Sequence, residues 1–188
     1  MSAAIFTLLG TILGAALTWG KDWWLGRNER SRHAAYLAVR VICILDEFMS
    51  GCSDVVSGAG NEDLPLPNVH NPTFPPFPDD LDWKTISPAL MYQILKFPTE
   101  IKAADSRIDF IGDVVASLPD YSEAVEERQY QYALLGLKAD DLANRLRATY
   151  DIPKRDDSGW NPVEQFRKMQ ADIEAGRRKH DADSAALF

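Results

Sequence analysis

The chain has 188 residues, two cysteines and a formal net charge of −8, which is room for one membrane segment and one soluble domain with its own core. The acidic balance excludes an extended nucleic-acid surface, because that affinity comes from basic side chains displacing counterions. The charge is unevenly placed: Lys21, Arg27, Arg30, Arg32 and Arg40 outnumber Asp22 and Glu29 in residues 21–40, and everything beyond is strongly acidic.

No charged side chain lies between Ser2 and Gly20. As a helix, Ala3–Gly20 would be ~27 Å long, close to the ~30 Å hydrocarbon core of a bilayer. Trp19, Trp23 and Trp24 cluster where the run ends, as amphipathic rings do at a membrane boundary. Three readings compete: a cleaved signal peptide, a buried helix of a soluble protein, and a retained transmembrane helix. A signal peptide normally has a basic leader and a polar break at its cleavage site, and this run has neither. A single transmembrane helix is the favoured reading, with residues 1–25 as anchor. Arg27, Arg30 and Arg32 follow the run, so the positive-inside rule places the N-terminus outside and residues 26–188 in the cytoplasm, at the inner membrane of a cell. Those arginines are topology determinants first and contacts to anionic membrane lipids second. Gly10 and Gly14 form a G-x-x-x-G pair, which permits close helix approach in the membrane and homo-oligomer formation.

The pattern from Asn28 to about Ser57 is helical, with Leu37, Val41, Ile44, Phe48, Cys52 and Val55 recurring at steps of four and three. Cys43 and Cys52 lie on that helix, roughly 13 Å apart along its axis, too far to form a disulfide. Their apolar neighbours suggest small buried thiols in a reducing compartment. Residues 58–82 hold six prolines, which block helix and central strand alike. Phe74, Phe77 and Trp83 make this connection either a polyproline recognition segment or, the favoured reading, a strap covering the end of a bundle.

Ser87 and Pro88 mark the next helix start. Leu90, Ile94, Phe97, Ile101, Ala104, Ile108, Ile111, Val115 and Leu118 sustain a heptad seam through Pro98, so the proline implies a kink rather than a break. A third helix is predicted over Ser122–Tyr150, with Val125, Tyr132, Leu135, Ala139, Leu142 and Leu146 as its seam and Asp151-Ile152-Pro153 as its stop. Asn161-Pro162 then starts a short helix to about Arg178, with Val163, Phe166, Met169 and Ile173 inward, and residues 180–188 are expected to fray. No run alternates with period two. The predicted fold is all-α: one N-terminal transmembrane helix, then an antiparallel bundle of three long helices plus a short C-terminal helix.

No constellation with catalytic or cofactor spacing is present: no phosphate-binding glycine loop, dinucleotide fingerprint, nucleophile elbow or H-E-x-x-H. His33, His70 and His180 are scattered, and His33 reads as solvated. Asp79, Asp80 and Asp82 lack the ordered spacing of a calcium loop and read as a solvated cluster. Glu126-Glu127 and Asp140-Asp141 read as exposed faces. The sequence therefore predicts no enzyme, cofactor or metal. It predicts a membrane-anchored helical interaction or scaffold protein with an unknown protein partner. A membrane-active, holin-like or toxic oligomer is the alternative, and an enzyme without a recognisable motif ranks third.

Overall fold

Four α-helices carry the chain in the computed structural model, which describes residues 31–58, 71–115, 122–156, 159 and 161–186. They are α1 (31–57), α2 (Pro88–Phe110), α3 (Ser122–Tyr150) and α4 (Pro162–Ala185), with a 3-10 turn at Trp83–Thr85 and a π turn at Ile111–Val115. No strand occurs among the described residues. The all-α expectation holds among the described residues, and the starts of α2 and α4 and the end of α3 follow the local signals. α2 starts behind Ser87 with Pro88 in its first turn, although the Ser87 hydroxyl makes no capping bond. Proline fits there because its missing N–H would have no helical partner anyway. α2 runs on through Pro98, and Leu90, Ile94, Phe97, Ile101, Ala104 and Ile108 stay buried in phase. α3 stops where Asp151 enters the left-handed region at φ 53°. There the Ile152 N–H donates back to the Arg147 carbonyl at 3.0 Å, the bond that closes a Schellman cap.

No helix among the described residues is long and apolar enough to cross a membrane. The run Ala3–Gly20, and with it Gly10, Gly14, Trp19, Trp23, Trp24, Arg27 and Arg30, lies outside the described residues.

The helix directions depart from the antiparallel expectation at one point. Asp46 of α1 and Gln93 of α2 meet Arg147 and Arg145, two residues apart on α3. Phe48 packs on Phe97 with ring centroids 5.5 Å apart. Further along, Tyr132 of α3 donates to Asp105 of α2 at 2.6 Å. Both α1 and α2 therefore run against α3, and parallel to each other. α4 runs against α3 in turn, because Phe166 sits at Gly136 while Arg177 reaches Glu126 and Glu127. The parallel pair is made possible by the proline-rich connection. Its described part begins beside Gly51 of α1, where Pro72 lies so close that an added Cβ would be 2.6 Å from the Pro72 Cβ. It then runs back along α1 to Asp80, which accepts from Arg40 at 2.8 Å. An extended chain advances about twice as far per residue as a helix, so a few residues carry α2 back to the end where α1 begins.

This connection is a strap. Phe97, Phe48, Phe74, Phe77 and Trp83 form a chain of edge-to-face contacts with centroids 5.2–5.5 Å apart, the favoured geometry of aromatic quadrupoles. Three strap rings thereby extend the core between α1 and α2 rather than lying in water.

Three further expectations are corrected. The α1 seam is Ala34, Ala38, Val41, Leu45, Phe48, Cys52 and Val55, so Leu45 holds the core position assigned to Ile44, which is half-buried. Leu37, Ile42, Met49 and Val56 are buried beside that seam, because α1 is covered by both α3 and the strapped α2. Ile111, expected in the core, is also half-buried, since the regular seam gives way to the π turn there. α4 is not short: its 24 residues continue to Ala185, because no glycine or proline follows Gly176 to end it.

Candidate functional site

Among the described residues, polar side chains tie the helices at several places, Ser53 to Gln165 and Glu100 to Lys138 among them, and in three larger clusters. The first surrounds Glu127, which the sequence placed on an exposed face and which is 2 % exposed. It accepts from Arg107 of α2 at 2.5 Å, from Arg177 of α4 at 2.8 Å and from Gln131 at 2.7 Å. Burial opposes its ionisation, but these donors hold its pKa below the usual glutamate range. Arg177 also stacks over Tyr130, 4.6 Å from the ring centroid. Every part of this cluster is turned to another part, which is the pattern of a structural tie between three helices.

The second cluster is Tyr132, fully buried, whose hydroxyl donates to Asp105; that carboxylate also accepts from Asn71 of the strap at 3.0 Å. Burial, followed by the Asp105 contact, pushes the Tyr132 pKa upward. A neutral donor is the role this leaves it.

The third cluster opens to solvent. Arg147, 6 % exposed, gives one guanidinium nitrogen to Asp46 of α1 at 2.5 Å. Arg155, just past the end of α3, pairs with Asp140 at 3.3 Å and lies 4.0 Å from Asp46. Its guanidinium also contacts the Met49 sulfur at 3.1 Å. These groups stand beside a cleft of about 730 Å³ between α3, the segment that follows it and the start of α4. Arg147, Lys154, Arg155 and Arg167 line it against Asp140 and Asp151, so cations outnumber carboxylates in a chain whose net charge is −8. The volume lies within the ~300–1,000 Å³ range of small-molecule sites.

Of the residues singled out from sequence, Arg32 and His33 lie exposed on the first described turn of α1. Asp80 is engaged by Arg40, whose hydrogen bond lowers the Asp80 pKa. Asp82 caps the 3-10 turn by accepting from the Lys84 N–H at 3.2 Å. That acidic cluster therefore shapes the strap. Cys43 is exposed, against expectation, because it falls on the face of α1 opposite the seam; Cys52 is buried. Burial raises the Cys52 pKa strongly, so its thiol is inert. Among the described residues, no three His, Cys, Asp or Glu side chains come together as a metal site.

Sequence reasoning missed Arg147 and the cleft. The available signal was Asp140, Asn144 and Arg147 at steps of four and three, a polar stripe beside the apolar seam of α3. No protein-family model matches the chain, and neither a curated protein nor a solved structure is significantly similar to it.

Proposed function

We propose that this chain is a membrane-tethered helical interaction module. Its apolar run Ala3–Gly20 spans the inner membrane with the N-terminus outside. Its bundle stands against the cytoplasmic leaflet and presents its helices to a protein partner. The observation that carries this reading is the placement of the exposed apolar side chains. Of the five exposed large apolar side chains among the described residues, Phe110 lies at the far end of α2, and the other four are Tyr36 (63 % exposed), Tyr92 (64 %), Val39 and Leu95. All four lie in the first described turns of α1 or α2. Those helices run parallel, so all four share the end of the bundle from which the N-terminal segment departs. Tyrosines with an apolar body and a polar tip favour a membrane–water boundary, and Arg32 beside them suits anionic lipid. The buried ties at Glu127, Tyr132 and Arg147 support a rigid platform, in keeping with a binding role.

The test is alkaline carbonate extraction of membranes containing the full chain. Retention in the pellet is expected, with impaired insertion when Leu9 and Leu13 are both replaced by Arg, since a central Arg costs ~2.5–3.5 kcal/mol on insertion scales. Release of the intact chain to the supernatant would overturn the reading.

A further inference from the structure

We infer that the cleft between α3 and α4 is a binding site for a phosphoryl group. The argument begins at its buried wall. Arg147 is more than nine-tenths buried, lines the cleft and is tied to Asp46 through Nη2, while its Nη1 has no hydrogen-bond partner. A buried, charged donor without a partner is costly, and an arginine held in one orientation is prepared for a planar or tetrahedral oxyanion. Its backbone is fixed as well, because the Arg147 carbonyl accepts the bond that caps α3.

The rim adds unattached charge. Lys154 and Arg167 line the cleft, are exposed, and make no ion pair with any described residue. The opposing carboxylates are compensated or peripheral. Asp140 is held by Arg155 at 3.3 Å and accepts from Asn144 at 2.9 Å. Asp46 is held by Arg147 through Oδ2 and faces Arg155 at 4.0 Å, its Oδ1 buried without a hydrogen bond, and Asp151 is exposed. The start of α4 contributes in the same sense. Asn161 and Val163 line the cleft, and the Asn161 side chain makes no capping bond, which leaves the first-turn N–H groups and the positive helix end available to an anion. Lys154 and Arg167 would reach the phosphoryl oxygens, with the Arg147 guanidinium as a buried positive charge behind them. The ligand is a phosphomonoester or pyrophosphate group, carried either by a soluble molecule or by a lipid headgroup.

The experiment is calorimetric titration of the full chain in nonionic detergent, with pyrophosphate and, separately, with a short-chain phosphatidic acid below its micelle concentration. Saturable one-to-one binding of at least one probe is expected. Lys154→Gln and Arg167→Gln should each weaken it by about tenfold, as loss of a charge-assisted contact implies. Both side chains are exposed, so the fold should be unaffected, which far-UV circular dichroism checks. Arg178→Gln, the same charge change farther along α4 and outside the cleft, should leave binding unchanged. Tighter binding of pyrophosphate assigns a soluble ligand, and tighter binding of the phosphatidic acid assigns a headgroup. Absence of saturable binding by both probes, or equal weakening by Arg178→Gln, would overturn the inference.

Discussion

Replacing Gly136 with alanine should separate α4 from α3. Gly136 lies in the middle of α3, where alanine would ordinarily favour the helix by up to ~1 kcal/mol. The new Cβ, however, would lie 2.4, 2.7 and 2.9 Å from three ring carbons of Phe166. Carbon atoms prefer ~3.5–4.0 Å, so the ring or its helix must retreat by about 1 Å. Phe166 is fully buried, so its ring must move against the packed side chains around it. Overpacking of this kind costs ~1–3 kcal/mol, occasionally more, so after the propensity gain the net loss should be ~1–2 kcal/mol or larger. Gly176→Ala is the matched control. Nothing lies within 4 Å of its added Cβ, and that change should stabilise by a few tenths to ~1 kcal/mol. Urea denaturation of residues 27–188, followed by far-UV circular dichroism, reads both. Opposite shifts of the midpoint are expected. A Gly136→Ala chain as stable as the parent, or one shifted in the same direction as Gly176→Ala, would refute the proposed α3–α4 contact.

Other consequences can be measured on the same material. The folded-state pKa of Glu127 is depressed, so its contribution is present above the unfolded value of ~4.3 and lost as pH falls through the folded value; Glu127→Gln should lower stability at pH 7 and flatten the acid limb of a stability–pH curve. Its partners Arg107 and Arg177 are 59 % and 37 % exposed, so the loss at pH 7 should fall below the ~3–5 kcal/mol typical of a broken buried pair. Truncating Phe97, fully buried at the inner end of the aromatic chain against Phe48 and Phe74, to alanine should cost ~3–5 kcal/mol in the same urea assay. Phe74→Ala should cost less, because Phe74 is only half-buried, but should speed proteolytic cleavage within residues 58–82 by releasing the strap.

How much of this was legible in the sequence follows from which forces are local. The start of α2 and the end of α3 were readable because Pro88 and Asp151-Ile152-Pro153 act on their own backbone. The seam of α2 was readable because one partner-facing stripe dominates it. On α1 the stripe is wide, and nothing local tells Ile44 from Leu45; that choice is made by α3 and the strap, which lie far away in sequence. The direction of α2 relative to α1 was hidden for the same reason: proline forbids helix in the strap but does not say where the strap leads. Buried Glu127 looked like half of a solvated pair because its partners Arg107 and Arg177 come from other helices. The candidate cleft was hidden likewise, since its lining residues Arg147, Lys154 and Arg167 come from α3, the segment after it and α4.

The central claim, a cytoplasmic bundle tethered by the N-terminal run, is tested most directly by the two cysteines. Cys43 is exposed and Cys52 buried, so a membrane-impermeant maleimide should modify one thiol per native chain. On intact cells whose outer surface is accessible to the reagent, a bundle on the cytoplasmic side should leave Cys43 unlabelled; opening the inner membrane should then label Cys43 alone, on a chain that sediments with membranes. Labelling of Cys43 before the inner membrane is opened, or recovery of the labelled chain in the soluble fraction, would contradict the account.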